Sequence, residues 1–216
     1  KGADFGIKVE ALPTKYPMGG EKQIIYAVTG RELPPGKFPT DIGCFICNVD
    51  TAASLFRGFD SGLPLHQRVV TVSGDAVKNP KNLLTRVGTP YKVLFDYCGG
   101  FEKEPYKIIN GGPMMGMAQH TLDTPVVKNT SALLAFADGN ETISENPTCI
   151  RCGKCMRACP MRLMPNYIYL YASQGNYEEC RKRNVMDCIE CGCCSYVCPG
   201  KLHLVQSMRM VKGKLR

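Results

Sequence analysis

Apolar residues recur with helical spacing in two early segments of the chain. The segment EKQIIYAVTG, residues 21–30, has this spacing and ends in a glycine, so it predicts a short helix that stops at Gly30. The segment DTAASLFRGF, residues 50–59, predicts a second helix. Asp50 or Thr51 is available as its N-cap, because both side chains can accept a hydrogen bond from a free backbone N–H.

Two other early segments are short, strand-like runs rich in apolar residues. They are IKVEAL at 7–12 and CFICNV at 44–49, and short runs of this kind are typical of buried strands. Loops rich in glycine and proline separate them from the helices. Residues 1–60 therefore predict an α/β segment.

The middle of the chain alternates apolar and polar residues, as half-buried strands do. RVVTVSGDAV at 68–77 predicts a hairpin, and the stretch 82–100 predicts a strand and a helix that opens at Gly-Thr-Pro and stops at Gly-Gly. A strand at 106–110 and one or two more within 124–137 complete the pattern. Strands around one short helix predict a small α+β module of the β-grasp type.

The polar segment DGNETISENP, residues 138–147, is the predicted linker. Short helical patterns follow it at 164–175 and 201–216. We therefore predict an α+β protein of three domains, with boundaries at 1–60, 61–137 and 138–216.

Cysteine is the unusual residue of the composition. The chain has 13 Cys in 216 residues, only 3 His and no Trp, which disfavours His-rich metal sites. Three of the cysteines precede residue 149 and the other ten follow, so the two parts predict different chemistry. The count alone leaves disulfides, zinc and iron–sulfur clusters open.

The formal charge of +8 predicts a basic surface. Such a surface suits a nucleic acid, an anionic membrane or an acidic electron carrier. No stretch approaches the ~20 apolar residues that a membrane span needs. The chain starts without Met and without the apolar core of a signal peptide, and we expect it to be part of a longer protein.

Two cysteine runs share the spacing C-x2-C-x2-C-x3-C-P, which is the pattern of bacterial two-cluster ferredoxins. Three thiolates at x2 spacing can surround one cubane, and the fourth ligates the other cluster. The first predicted [4Fe–4S] cluster takes Cys149, Cys152, Cys155 and Cys198; the second takes Cys188, Cys191, Cys194 and Cys159.

Zinc and disulfide alternatives explain fewer of these cysteines. A pair of structural zinc sites would need only the C-x2-C units, and a disulfide framework conflicts with the missing signal peptide. Among the five remaining cysteines, Cys98 and Cys180 are predicted to be buried thiols and Cys193 a poor rival ligand. Cys44 and Cys47 could form a redox pair or half a zinc site, but a plain strand explains them better.

The chain resembles the RnfC family, the peripheral subunit of the Rnf ion-translocating ferredoxin:NAD oxidoreductase. The matching stretches include KYPMGGEKQ, PTDIGCFICNVDTA, INGGPMMG, PVVKNTSALL and IECGCCSYVCP. A cobalamin-reductase relative has the same layout and is the nearest competitor. The resemblance implies a partial flavin/NADH-binding domain, a ligand-binding β-grasp domain and a helical ferredoxin domain.

The first domain is also similar to the flavin subunit of respiratory complex I. The resemblance implies that FMN contacts fall on Tyr16, Gly19, Glu21, Asn48 and Thr51. Gly20 replaces a glutamate of the family pattern, and Cys47 replaces an asparagine. These two departures remove side chains that could contact the flavin.

The implied function is electron transfer between NAD(H), FMN, two [4Fe–4S] clusters and membrane-bound partner subunits. The resemblance implies peripheral attachment on the cytoplasmic side of the membrane, and an electron-carrier protein as a further partner. We expect no nucleic-acid partner, because no nucleic-acid motif accompanies the charge. The alternatives are a module of a cobalamin reductase and a ferredoxin-like wire without catalysis. We expect the chain alone to lack NADH activity.

Overall fold

The computed structural model describes residues 6–137 and 147–215. Contacts divide the chain into two compact units. The first, here called the cysteine-rich unit, combines the residues up to Cys47 with those from Thr148 onward; the second, the sheet unit, is Asn48–Pro147. The predicted linker lies outside the described residues, apart from Pro147.

In its described part, the sheet unit contains one mixed five-stranded sheet and two helices. In chain order they are α2 (Val49–Ser61), β1 (Gln67–Ser73), β2 (Lys81–Arg86), α3 (Tyr91–Tyr97), β3 (Lys107–Asn110), β4 (Met117–Gln119) and β5 (Ala132–Phe136). The strand order is β2-β1-β5-β3-β4. Strands β1 and β5 are parallel and the other neighbours are antiparallel. The predicted α+β class is thereby confirmed.

The core of this unit lies between the sheet and α3. Val70 and Val72 of β1 are fully buried, whereas Val69 beside them is 52% exposed, as the two-residue period of a strand requires. Leu94 and Phe95 of α3 pack into the same core. Apolar alternation along β1 therefore decides which face of the sheet is covered.

One close backbone contact explains a glycine beside β1. Gly74 has φ +119°, and a Cβ at this position would lie 1.9 Å from the carbonyl oxygen of Ala135. Only glycine tolerates both the backbone angle and the approach.

The cysteine-rich unit is helical. Its helices are α1 (Glu21–Thr29), α4 (Lys154–Arg157), α5 (Pro165–Ser173), α6 (Tyr177–Lys182), α7 (Cys193–Tyr196) and α8 (Leu204–Leu215). Helix α1 ends at Gly30 with φ +71°, as predicted. Among the described residues, none of the helices has the length and apolarity to cross a membrane.

The predicted strands at 7–12 and 44–49 are wrong. Neither segment has regular strand structure, because a strand must pair its backbone and these segments form no ladder within the described residues. Each segment also leaves a large apolar side chain in water: Val9 is 84% exposed and Phe45 is 81% exposed. The N-cap of α2 also differs, because Asn48 accepts the N–H of Asp50 at 2.9 Å.

Candidate metal centre

The two cysteine runs fold into the same backbone, 39 residues apart in the sequence. Helix α4 corresponds to α7, and the start of α5 corresponds to the start of α8. Pairs of left-handed residues also correspond: Arg151 and Glu190 (φ 55° and 56°), Gly153 and Gly192 (70° and 82°), and Arg162 and Lys201 (53° and 52°). Positive φ angles are rare for residues other than glycine. Their repetition at equivalent positions shows that the two runs are structural copies.

Each copy contributes to two cavities. The first is partly open to solvent and is lined by Cys149, Cys152, Cys155 and Cys198. The second is also partly open and is lined by Cys159, Cys188, Cys191 and Cys194. The structure therefore brings the eight predicted ligands together as the two predicted sets of four, each with one cysteine from the other run.

In each cavity, four cysteine thiols surround the space in which a cofactor could bind. Among the described residues, no group of three or more His, Cys, Asp and Glu side chains is placed to hold a single metal ion. A cubane is ligated differently, because each of its four irons takes one thiolate. The arrangement of four cysteines around a cavity fits that requirement.

Burial shifts the pKa of four of the cavity thiols. Burial raises the pKa of Cys155, Cys159 and Cys188, and it raises the pKa of Cys194 to about 12. Burial disfavours the thiolate form of these cysteines, and the positive charge of bound iron would compensate that cost.

Backbone amides also point at the sulfurs. The N–H of Leu163 donates to Cys159 Sγ at 3.4 Å, and the N–H of Glu190 donates to Cys188 Sγ at 3.4 Å. Hydrogen bonds of this kind stabilise a thiolate and lower its pKa. They also tune the potential of a metal site.

Three family models match successive parts of the chain. They are the Nuo51 FMN-binding domain at residues 1–57, the SLBB domain at 69–118 and the 4Fe-4S dicluster domain at 141–199. The last match contains all of the cavity cysteines and ends one residue after Cys198.

Curated relatives match nearly the whole chain. The C subunit of the proton-translocating ferredoxin:NAD(+) oxidoreductase complex of Clostridium ljungdahlii is 47% identical over 97% of this chain and 46% of its own length. The C subunit of the Na(+)-translocating complex of Acetobacterium woodii is 47% identical over 99% and 48%. The C subunit of the ion-translocating oxidoreductase complex of Rhodobacter capsulatus is 42% identical over 98% and 41%.

The resemblance to the RnfC family is confirmed. The chain spans about half the length of the curated relatives it matches. The family matches also support the predicted cofactors FMN and [4Fe–4S], since two of the models are named for them.

The flavin candidates implied by that resemblance lie on two short stretches, 16–21 and 48–51. Tyr16 and Gly19 belong to the loop before α1, and Glu21 is the first residue of α1. Asn48 caps α2, and Thr51 lies in its first turn. Their role in binding FMN stays a prediction.

Tyr16 makes a contact that the sequence did not suggest. Its hydroxyl donates a hydrogen bond to the carbonyl oxygen of Cys191 at 2.7 Å, so the loop before α1 contacts the second cysteine run. Lys22 adds an ion pair, in which its Nζ lies 3.4 Å from Oδ1 of Asp187. No local pattern could reveal these contacts, because they join residues far apart in the sequence.

An ion-pair network joins α8 to the same run. Lys212 Nζ donates to the carbonyl of Cys188 at 2.9 Å and pairs with Glu190 at 2.5 Å. Arg209 pairs with the other oxygen of Glu190 at 3.0 Å. Arg209 and Lys212 are three residues apart in a helix and so share a face, which is the sequence signal for this pairing.

The five remaining cysteines have different surroundings. Cys98 and Cys180 are fully buried, in accord with the prediction. Cys193 is partly buried between two cavity cysteines. Cys44 is partly buried and Cys47 is exposed, and both lie in irregular chain and not in the predicted strand.

Proposed function

We propose that this chain is the cluster-bearing part of an RnfC protein that transfers single electrons in an ion-translocating ferredoxin:NAD oxidoreductase complex. The observation that carries the proposal is the crossed arrangement of the two cavities, each with three cysteines of one run and one of the other. The relatives named above, similar over nearly the whole chain, point to the same complex.

The residues that would hold the first cluster are Cys149, Cys152, Cys155 and Cys198, and those for the second are Cys188, Cys191, Cys194 and Cys159. A [4Fe–4S] cluster, when bound, accepts and gives up one electron at a time. The protein would orient the thiolates, donates amide hydrogen bonds to sulfur and keeps Cys191 and Cys194 buried. These are the means by which a protein sets a cluster potential.

The complete protein supplies the remaining chemistry in this proposal. FMN would convert the two-electron exchange of NAD(H) into single electrons, with Tyr16, Gly19, Glu21, Asn48 and Thr51 among its contacts. The middle domain would be a β-grasp module at residues 61–137, preceded by a partial flavin domain and followed by the ferredoxin domain. The partners would be the other subunits of the complex, with peripheral attachment on the cytoplasmic face of the membrane.

The test is anaerobic reconstitution followed by metal analysis and EPR of the reduced protein. About eight iron atoms and eight sulfides are expected from two cubanes. The Cys159→Ser variant should lose the second cluster and keep about four irons, whereas the matched Cys193→Ser variant should keep both clusters. Stoichiometric zinc without iron would contradict the proposal, and so would full loading of Cys159→Ser.

A further inference from the structure

The two copies of the cysteine run share a backbone but differ in exposure. In the second copy, Ile189 is partly buried and Cys191 is only 7% exposed. In the first copy, the equivalent Ile150 is 66% exposed and Cys152 is exposed. The first loop therefore presents a cavity cysteine to solvent, and the second does not.

Specific contacts cover the second loop. Tyr16 donates a hydrogen bond to the carbonyl of Cys191, and a Cβ on Gly20 would lie 3.9 Å from the side chain of Ile189. Lys212 and Arg209 hold Glu190 from α8. These contacts occupy the surface through which a redox partner would have to approach.

The two copies also differ in charge at three positions that are exposed in the first copy. Arg151, Lys154 and Arg157 of the first copy correspond to Glu190, Cys193 and Tyr196 of the second. Three positive charges thus stand where the other copy has one negative charge. Since the backbone is the same in both, the fold does not require these charges.

We propose that the exposed loop of the first copy, residues 150–157, is the docking surface for a protein electron carrier whose redox centre is surrounded by carboxylates. Positive charges around an exposed redox centre steer an acidic partner and raise its association rate. The exposed Ile150 adds an apolar contact, and the exposed Cys152 brings the first cluster close to the partner. This proposal rests on the proposed function, because it assumes that the first cavity holds a cluster.

A protein partner fits this loop better than a membrane does. A lipid surface would use the positive charges alone, whereas the loop combines them with the accessible side of a redox site. In the transfer step, one electron leaves the reduced carrier and reduces one [4Fe–4S] cluster from its oxidised to its one-electron-reduced state. No bond or proton is exchanged.

The test uses the reconstituted chain and an acidic [2Fe–2S] ferredoxin as the probe. Arg151→Glu/Lys154→Glu reverses the charge, and Glu190 shows that glutamate adopts the backbone angle of position 151. The matched control is Lys92→Glu/Lys103→Glu, which makes the same charge change at two exposed residues of the sheet unit. Stopped-flow mixing with the reduced probe gives the second-order rate constant for electron transfer at several salt concentrations.

At low salt, we expect the loop variant to lower this rate constant by about tenfold or more and to weaken its salt dependence. The control should lower it by less than about threefold. Equal rate constants for both variants would overturn the proposal. Redox titration by EPR measures the cluster potentials of both variants, and a shift large enough to explain the slower rate would also overturn the proposal.

Binding of a redox-inactive, gallium-substituted probe separates this proposal from the proposed function. Calorimetry with the iron-loaded proteins should show weaker binding for the loop variant than for the control. Equal binding by both variants overturns the docking surface, whereas absence of iron overturns the proposed function. Loss of binding to phosphatidylserine vesicles, with unchanged binding of the probe, would overturn the proposal by assigning the loop to a membrane instead.

Discussion

The sheet unit and the cysteine-rich unit are stabilised in different ways. The sheet unit has one continuous core, in which Val70, Phe95 and Leu133 belong to the same buried cluster. Within the described residues, the cysteine-rich unit instead has two separate buried clusters, one around Ile168 and Met208 and the other including Leu204. Both of these clusters include cavity cysteines among their members or neighbours.

The difference suggests that a metal centre can stabilise a unit that lacks one continuous apolar core. Helices α4 and α7 have four residues each, too few to be stable in isolation. Each carries a cavity cysteine and follows a glycine in the left-handed region. We infer that the sheet unit is held by apolar burial, whereas the cysteine-rich unit needs bound metal to keep its short helices in place.

Removal of iron gives the largest expected effect. Anaerobic chelation should abolish amide protection in much of 148–215, because the buried thiols lose the cation that holds them together. The strands of the sheet unit should stay protected, because their core contains no predicted ligand. Hydrogen exchange followed by mass spectrometry measures both regions in one sample. Equal protection with and without iron would show that the two apolar clusters suffice.

The second prediction removes apolar burial from the sheet unit. Leu133→Ala should lower the free energy of unfolding of this unit by about 2–5 kcal/mol, because Leu133 is fully buried and a cavity would remain. The matched variant is Leu84→Ala on β2, where the side chain is 69% exposed, and its effect should stay within about 0.5 kcal/mol. Denaturant unfolding measures both. Similar losses in the two variants would refute the assignment of the core.

The third prediction stabilises a helix of the cysteine-rich unit. A Cβ on Gly213 of α8 would meet nothing within 4 Å, and alanine favours a helix over glycine by about 0.8–1 kcal/mol. Gly213→Ala should therefore increase the stability of this unit by up to about 1 kcal/mol. The thermal unfolding midpoint of the iron-loaded protein should rise. A lower midpoint would mean that α8 bends or packs at this glycine.

The smallest expected effect concerns an ion pair on α6. Hydrogen bonds from Lys182 at 2.8 Å and Arg183 at 2.5 Å lower the pKa of the Glu179 carboxyl below its usual value. Its contribution to stability is therefore present above the ordinary glutamate pKa and is lost as pH falls through the lowered pKa of the folded state.

The Glu179→Gln variant should show a slightly smaller loss of stability than the parent protein when pH is lowered from neutral to acid. NMR titration of the Glu179 carboxyl measures the pKa directly. An unshifted pKa, or the same acid response in both proteins, would contradict the prediction.

The cysteine spacing was the most informative pattern in the sequence, because it predicted which residues make up the candidate site. A template of eight cysteines determines which thiols share a cavity, because each step of two or three residues limits where the next sulfur can lie. That these thiols bind iron stays a prediction. The contacts of Tyr16 and Lys212 with the second run could not be predicted, because they depend on chain packing.

Short apolar runs were less informative. CFICNV at 44–49 has the composition of a strand, but it lacks a pairing partner within the described residues. β4 was missed because Met117–Gln119 is too short to show a period. α6 was missed because its polar sequence carries no apolar stripe; its start is marked by Asn176, which accepts the N–H of Glu179 at 3.2 Å.

The exchange of one cysteine between the two runs has a consequence for biosynthesis. The first cavity needs Cys198 from the second run, so it cannot be completed while the ribosome is still making the segment between them. Protein synthesis proceeds at about 5–20 residues per second. The cysteines of the first run therefore remain without their fourth cluster ligand for several seconds. Delivery of iron and sulfide to both cavities is therefore expected to follow synthesis of the whole cysteine-rich region, and a chain truncated between the two runs would complete neither centre.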